Sequence, residues 1–130
     1  MSSIFDKHPV PFPPRQLRGF VDRVIDGDTY WITVDCGFHA SMTIAVRLRG
    51  VNAAELTTEA GKLARAAVQR MIEGKPVLVT TYRDKQSFAR WVADVQFYTP
   101  PPDYGIDSEG PGTWADFADW LVGAGFAVRV

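Results

Sequence analysis

Ile25-Asp26-Gly27-Asp28-Thr29-Tyr30-Trp31-Ile32-Thr33-Val34 is the stretch from which the fold is read. Asp and Gly are the residues that tight turns prefer, and the run from Thr29 to Val34 is β-branched and aromatic, the composition of a strand. Residues 17–26 alternate loosely before it, so the two runs close as a hairpin around Asp26-Gly27-Asp28. Asp35-Cys36-Gly37-Phe38 supplies the next turn. Residues 41–49 then alternate, with Met42, Ile44, Val46 and Leu48 on one face and Ser41, Thr43, Ala45, Arg47 and Arg49 on the other.

After Gly50 the period changes. Leu63, Ala64, Ala67, Val68, Met71 and Ile72 form a single helical stripe, with Thr57 or Thr58 as its cap, Glu59 near its positive end and Gly74 at its stop. Residues 76–82 read as a fourth strand. Residues 90–98 read as a fifth, with Trp91, Ala93, Val95 and Phe97 on one face and Trp91 taken as core. Residues 99–112, rich in proline, glycine and acid, are expected to be a surface insertion. Thr113 with Asp116 resembles a helix start, with Trp114, Phe117, Ala118 and Leu121 on one helical face, and residues 126–130 form a short last strand. The order of elements predicts an α+β fold: a five-stranded OB-type barrel carrying two helices.

The chain has 130 residues, of which 46% are apolar, enough for one core and too few for two. Residues 1–16 form a proline-rich arm expected to strap onto the domain at residues 17–130. No apolar run there is long enough for a signal peptide or a membrane span, which predicts a soluble cytoplasmic protein. Cys36 is solitary, so neither a disulfide within the chain nor a structural zinc site is expected. The net charge of −1 excludes a protein that holds nucleic acid by bulk attraction alone. Its distribution is uneven: residues 15–95 carry 12 Lys/Arg against 9 Asp/Glu, and residues 96–130 carry only Arg129 against five acids. Any nucleic-acid surface is therefore expected on the first two-thirds of the chain.

Asp26-Gly27-Asp28 alone is ordinary turn chemistry. It gains meaning beside Arg47, which projects away from the apolar face of its strand, and beside Asn52 and Glu55 in the irregular stretch before the helix. An arginine with several oxygen-bearing side chains at one mouth is equipment for a hard cation and a phosphodiester.

Ile25-Asp26-Gly27-Asp28-Thr29, Val46-Arg47-Leu48-Arg49-Gly50-Val51-Asn52-Ala53-Ala54-Glu55 and Phe88-Ala89-Arg90-Trp91-Val92-Ala93-Asp94-Val95 resemble, in order, the three signature blocks of the staphylococcal-nuclease-like (thermonuclease) family. Residues 117–128 are similar to that family's second helix and following strand. The resemblance implies a Ca²⁺-dependent phosphodiesterase acting on single-stranded DNA or RNA. By position it makes Asp28, Asn52 and the Ala53 carbonyl metal ligands, Glu55 the base for the attacking water, and Arg47 and Arg90 the phosphate clamp, with Arg83 a fallback for Arg90. Asp26 would orient water at the metal, and Lys85, Ser87 and Phe88 would meet the substrate.

The chain also departs from the pattern. Asn52 and Ala54 stand where the family commonly has an aspartate and a proline, which removes one negative charge from the metal loop and leaves that loop less stiff. Ser87 and Phe88 stand where a lysine and a tyrosine hold a terminal phosphate. The last family helix has no counterpart. Two other readings therefore stand beside the enzyme: a nucleic-acid-binding module with weakened catalysis, and a protein-docking scaffold.

Overall fold

The computed structural model describes residues 15–87, 90–99 and 113–130, with backbone alone for residues 83–87 and 90. The elements run β1 (Arg15–Asp26), β2 (Thr29–Gly37), β3 (Ala40–Leu48), β4 (Val51–Ala53), α1 (Glu59–Ile72), β5 (Pro76–Ser87), β6 (Arg90–Thr99), β7 (Thr113–Asp116), α2 (Phe117–Gly123) and β8 (Ala127–Arg129). Strands β1, β2, β3, β6 and β5 close on one another as a five-stranded barrel. All pairings in the ring are antiparallel except β3 with β6, where Val46, Arg47 and Leu48 lie beside Trp91, Val92 and Ala93. The fold is α+β and of OB type, as the sequence predicts.

Closure depends on β1 pairing along both edges. Gly19 and Phe20 pair with Val34 and Thr33 of β2 and also with Val77 and Pro76 of β5, and a bulge between Val21 and Arg23 bends the strand as it passes from one partner to the other. The inward residues Val21, Val24, Tyr30, Ile32, Val46, Leu48, Val79 and Val95 are wholly buried. Helix α1 adds Ala64, Ala67, Val68 and Ile72. Its cap is Thr58, whose hydroxyl accepts from the Gly61 N–H at 3.0 Å. Leu63 is not part of the buried stripe but faces solvent. The buried stripe instead includes Gly61, which the apolar pattern does not register and which is set against the loop at Glu55.

Further expectations are corrected. Asn52, expected in an irregular stretch, lies in the short strand β4, paired with Val128. β1 begins at Arg15, two residues into the expected arm, because Arg15 and Gln16 pair with Thr81 and Thr80. Thr113–Asp116 is a strand pairing with the end of β6 instead of a first helical turn, and Asp116 is the N-cap of α2. Trp114 therefore leaves the helical face and packs edge-on against Tyr98, ring centres 5.5 Å apart. Trp91 shares the inward face of β6 but stands 42% exposed at the rim of an apolar cavity of about 190 Å³, lined also by Leu17, Val34, Met42 and Val79. The β6 residues that follow it inward, Ala93, Val95 and Phe97, are buried. Of the expected insertion, Thr99 ends β6, and residues 100–112 lie outside the described residues. Among the described residues no helix is long and apolar enough to cross a membrane.

The barrel is plugged below its first turn by α2. Phe117 meets Tyr30 and Phe97 edge-on, with centres 6.1 and 5.2 Å apart, and stacks on Trp120 at 5.2 Å. The chain end returns as β8, which pairs Ala127 with Ala53 and Val128 with Asn52. β4 and β8 together hold the segment that follows Gly50.

Candidate functional site

Asp26-Gly27-Asp28 turns at the barrel mouth directly beneath β4. A side chain on Gly27 would bring its Cβ to 2.6 Å from that of Ala53, so only glycine lets the turn approach this closely. The Tyr30 hydroxyl donates to the Gly27 carbonyl at 2.7 Å from inside the barrel. Phe117 packs on the ring of Tyr30, so the second helix braces the turn through one buried side chain. Asp26 Oδ1 accepts from the Asp28 N–H at 3.0 Å, the local bond that acidic turn residues commonly make.

The Asp28 side chain is nearly buried. Its Oδ2 accepts from the Ala53 N–H at 2.9 Å and its Oδ1 from the Thr29 hydroxyl at 3.2 Å. The bond to Ala53 ties the hairpin turn to β4, across 25 residues of chain. Arg47, opposite Thr29 on β3, sends Nη1 to the carbonyls of Leu48 and Val51 at 3.2 and 3.1 Å and Nη2 to Oδ1 of Asn52. The same Nη2 is 3.7 Å from Asp28 Oδ2. Arg47 thus lies across the turn between β3 and β4, with a carboxylate and an amide oxygen at its tip.

Glu55 is held by its backbone. The Thr58 N–H and hydroxyl both donate to its carbonyl, at 3.0 and 2.7 Å. A Cβ on Gly61 would overlap that same oxygen, so the first turn of α1 sits directly on the loop. The Glu55 side chain stays exposed at the lip. Asp26, Asp28, Arg47, Asn52, Ala53, Ala54 and Glu55 line a single open pocket of about 370 Å³. Burial, followed by the hydrogen bond and charge of Asp28, raises the Asp26 carboxyl above the ordinary carboxylate range. Burial also drives the Tyr30 hydroxyl far up, with the negative charges of Asp28 and Asp26 adding to it, so this phenol stays protonated and donating.

The five expected residues Arg47, Glu55, Asp28, Asn52 and Ala53 therefore come together, with Asp26 beside them. Arg90 opens β6 next to Ser87, and β6 runs alongside β3, but the side chains of Arg90, Ser87, Lys85 and Arg83 lie outside the description. Phe88 lies outside the described residues altogether. Three supporting groups were not legible as parts of a site: the Tyr30 hydroxyl, Gly61 and the Ala127–Arg129 strand. Only the last left a signal, a short apolar run in need of a strand partner.

The pocket oxygens belong to carboxylates and an amide, the hard donors that Ca²⁺ or Mg²⁺ takes. The set fits such a cation in kind, though among the described residues no three His, Cys, Asp or Glu side chains converge as a ready cluster. Asn52 Oδ1 accepts from Arg47, and Asp28 Oδ2 from Ala53. A cation would take the first of these oxygens from an arginine.

A scan against protein-family models finds no match to this chain, and neither does a search of the curated proteins.

Proposed function

We propose that this protein is a calcium-dependent phosphodiesterase that hydrolyses single-stranded DNA or RNA in the pocket at the barrel mouth, in the manner its resemblance to the thermonuclease family implies. The observation that supports this most is the meeting of Asp28, Arg47, Asn52 and Glu55, from three separate segments, around one polar pocket on an OB-type barrel. OB barrels commonly bind nucleic acid, but fold alone does not carry an activity, and the argument rests on the pocket.

Asp28, Asn52 and the Ala53 carbonyl would hold the cation, which supplies positive charge against the phosphate and acidifies water in the site. The Arg47 guanidinium, already at the pocket, offers a planar fork to two phosphate oxygens once it turns from Asn52. Glu55, free at the lip, takes the proton of the attacking water. The water oxygen bonds to phosphorus, the ester P–O bond breaks, and the departing oxygen is protonated from solvent. Arg90 is proposed as the second phosphate ligand, with Lys85, Ser87 and Phe88 as further substrate contacts and Asp26 as the group orienting water. Arginines aimed at the charge that grows on phosphate oxygens supply the main electrostatic stabilisation.

The bonding of Arg47 favours a second reading. Its guanidinium is occupied by Leu48, Val51 and Asn52, and the loop has one carboxylate fewer than a strong calcium site, which suits a binding module with little turnover. Incubation of denatured DNA and of RNA with the protein, in Ca²⁺ and in chelator, separates the readings. Cleavage that needs Ca²⁺ and is lost in Glu55→Gln supports the enzyme. Binding without cleavage selects the module, and neither selects a protein-docking scaffold.

A further inference from the structure

Trp31 is an exposed indole on the strand face that leads into the pocket. On β2 the residues Tyr30, Ile32 and Val34 point into the barrel, so Thr29, Trp31 and Thr33 share the outer face. On β3 Val46 and Leu48 point inward and Ala45 and Arg47 outward. Thr29 pairs with Arg47 and Trp31 with Ala45, which makes Trp31 the diagonal neighbour of Arg47, about 7–8 Å away across the ladder. On the other side Trp31 pairs with Arg23 of β1.

Three features of this row are those of a ligand surface. Trp31 is 40% exposed and, among the described residues, has no aromatic partner and no hydrogen bond through its indole N–H. The residue opposite it is Ala45, which is too short to cover the ring. Arg23, exposed at the other end of the row, has neither an ion pair nor a hydrogen bond among the described residues. The nearest acid on that strand, Asp22, is turned to the Thr33 hydroxyl, one row farther from the pocket. Of the other exposed aromatics, Tyr98 and Trp114 pair with each other, Trp91 rims the apolar cavity, Phe38 is at the tip of the β2–β3 hairpin, and Phe20 pairs with Thr33, one row farther from the pocket than Trp31.

We infer that Trp31 is a stacking platform for the nucleobase adjacent to the phosphate held at Arg47, and that Arg23 takes the next phosphate along the same single strand. This inference rests on the phosphodiesterase reading for the location of the scissile phosphate. An aromatic flanked by two arginines on a barrel face matches how single strands are held without base-specific contacts, since every base offers a π-face and every nucleotide a phosphate. Trp31 is thus a substrate-positioning residue outside the acid–arginine pocket, and the path of the strand runs across β1, β2 and β3.

The test measures binding of a short single-stranded oligonucleotide in chelator, where turnover is suppressed, to the full chain and to Trp31→Ala, Trp31→Phe and Arg23→Gln. Trp31→Ala is expected to weaken binding about tenfold, with Trp31→Phe between it and the parent. Placing one abasic nucleotide next to the bound phosphate should cost the parent a similar factor and cost Trp31→Ala almost nothing, a coupling that a merely structural tryptophan would not produce. Arg23→Gln should lower the slope of log affinity against log salt by about 0.7. Quenching of tryptophan fluorescence by the oligonucleotide should shrink in Trp31→Phe. Unchanged affinity in Trp31→Ala, with cleavage by the parent intact, overturns the platform and leaves the phosphodiesterase reading standing. Trp31-dependent binding without any Ca²⁺-dependent cleavage supports the platform and overturns the catalytic reading. Absence of binding by the parent overturns both.

Discussion

The carbonyl oxygen of Glu55 occupies the space that a Cβ on Gly61 would need, so the loop carrying the proposed base rests on the backbone of α1 itself. Gly61 is in the first turn of a helix, where alanine would be favoured over glycine by about 1 kcal/mol on propensity alone. The close approach reverses that sign. Gly61→Ala is expected to lower stability by about 2 kcal/mol or more and to reduce activity further by displacing Glu55. Thermal melting and the cleavage assay check the two parts, and a gain in stability would show that the loop yields easily.

Asn52 is the residue at which a cation and Arg47 compete for one oxygen. Replacing its neutral amide with a carboxylate adds the charge on which calcium affinity depends. Asn52→Asp is therefore expected to tighten Ca²⁺ binding at least several-fold, or about 1 kcal/mol or more, even though the new carboxylate also attracts Arg47. Asn52→Ala should weaken it. Glu55→Gln should leave it largely in place while abolishing turnover, since it removes the base and not a direct ligand. Calorimetric titration with Ca²⁺ measures all three, and identical affinities for the parent and the Asn52→Asp variant would move the cation elsewhere.

Asp116 caps α2 by accepting from the Ala118 N–H at 3.4 Å, yet its carboxyl is raised above the ordinary range, first by burial and then by the charge of Asp119. A carboxyl raised in the folded state contributes stability that is fully present below its unfolded pKa and is lost as pH rises through the folded pKa. At neutral pH the ionised Asp116 therefore costs stability. Asp116→Asn keeps a good capping oxygen and removes the charge, so it should raise the melting temperature slightly at about pH 7, by an amount worth up to about 0.5 kcal/mol. The gain should vanish at about pH 3. Melting curves at the two pH values check the sign.

Thr99 and Thr113 face each other at the end of the β6–β7 ladder, and their side-chain oxygens are 2.8 Å apart. Their separation suits a two-residue hairpin turn. Replacing residues 100–112 with Asn-Gly should leave the fold intact and the melting temperature within a few degrees of the parent. A larger fall would show that the removed segment packs against the domain.

The barrel was legible because its evidence is local. Alternation in β2 and β3, the period change at α1 and the turn residues between them each follow from the chemistry of neighbouring side chains. The same locality explains the errors. Leu63 satisfies a helical stripe yet faces solvent, because the helix turns Gly61, Ala64, Ala67, Val68 and Ile72 inward, with Gly61 set against the loop carrying Glu55. Trp114 satisfies a helical face yet lies on β7, because the end of β6 offers an unpaired edge that only the folded sheet presents.

By itself the sequence determined the order of β1, β2, β3, α1, β5, β6, α2 and β8, the turn at Asp26-Gly27-Asp28, and the outward aim of Arg47 from β3, all consequences of residue period and turn preference; β4 and β7 it did not show. Only the tertiary structure decided that Asp28 would be tied to Ala53, that Arg47 would be held by Val51 and Asn52, and that Trp31 would stand open beside Ala45 and Arg23. These are contacts between strands and loops distant in sequence. Their geometry is set by ladder register, by barrel closure through β3 and β6, and by how near two backbones can come where Gly27 and Gly61 have no side chain.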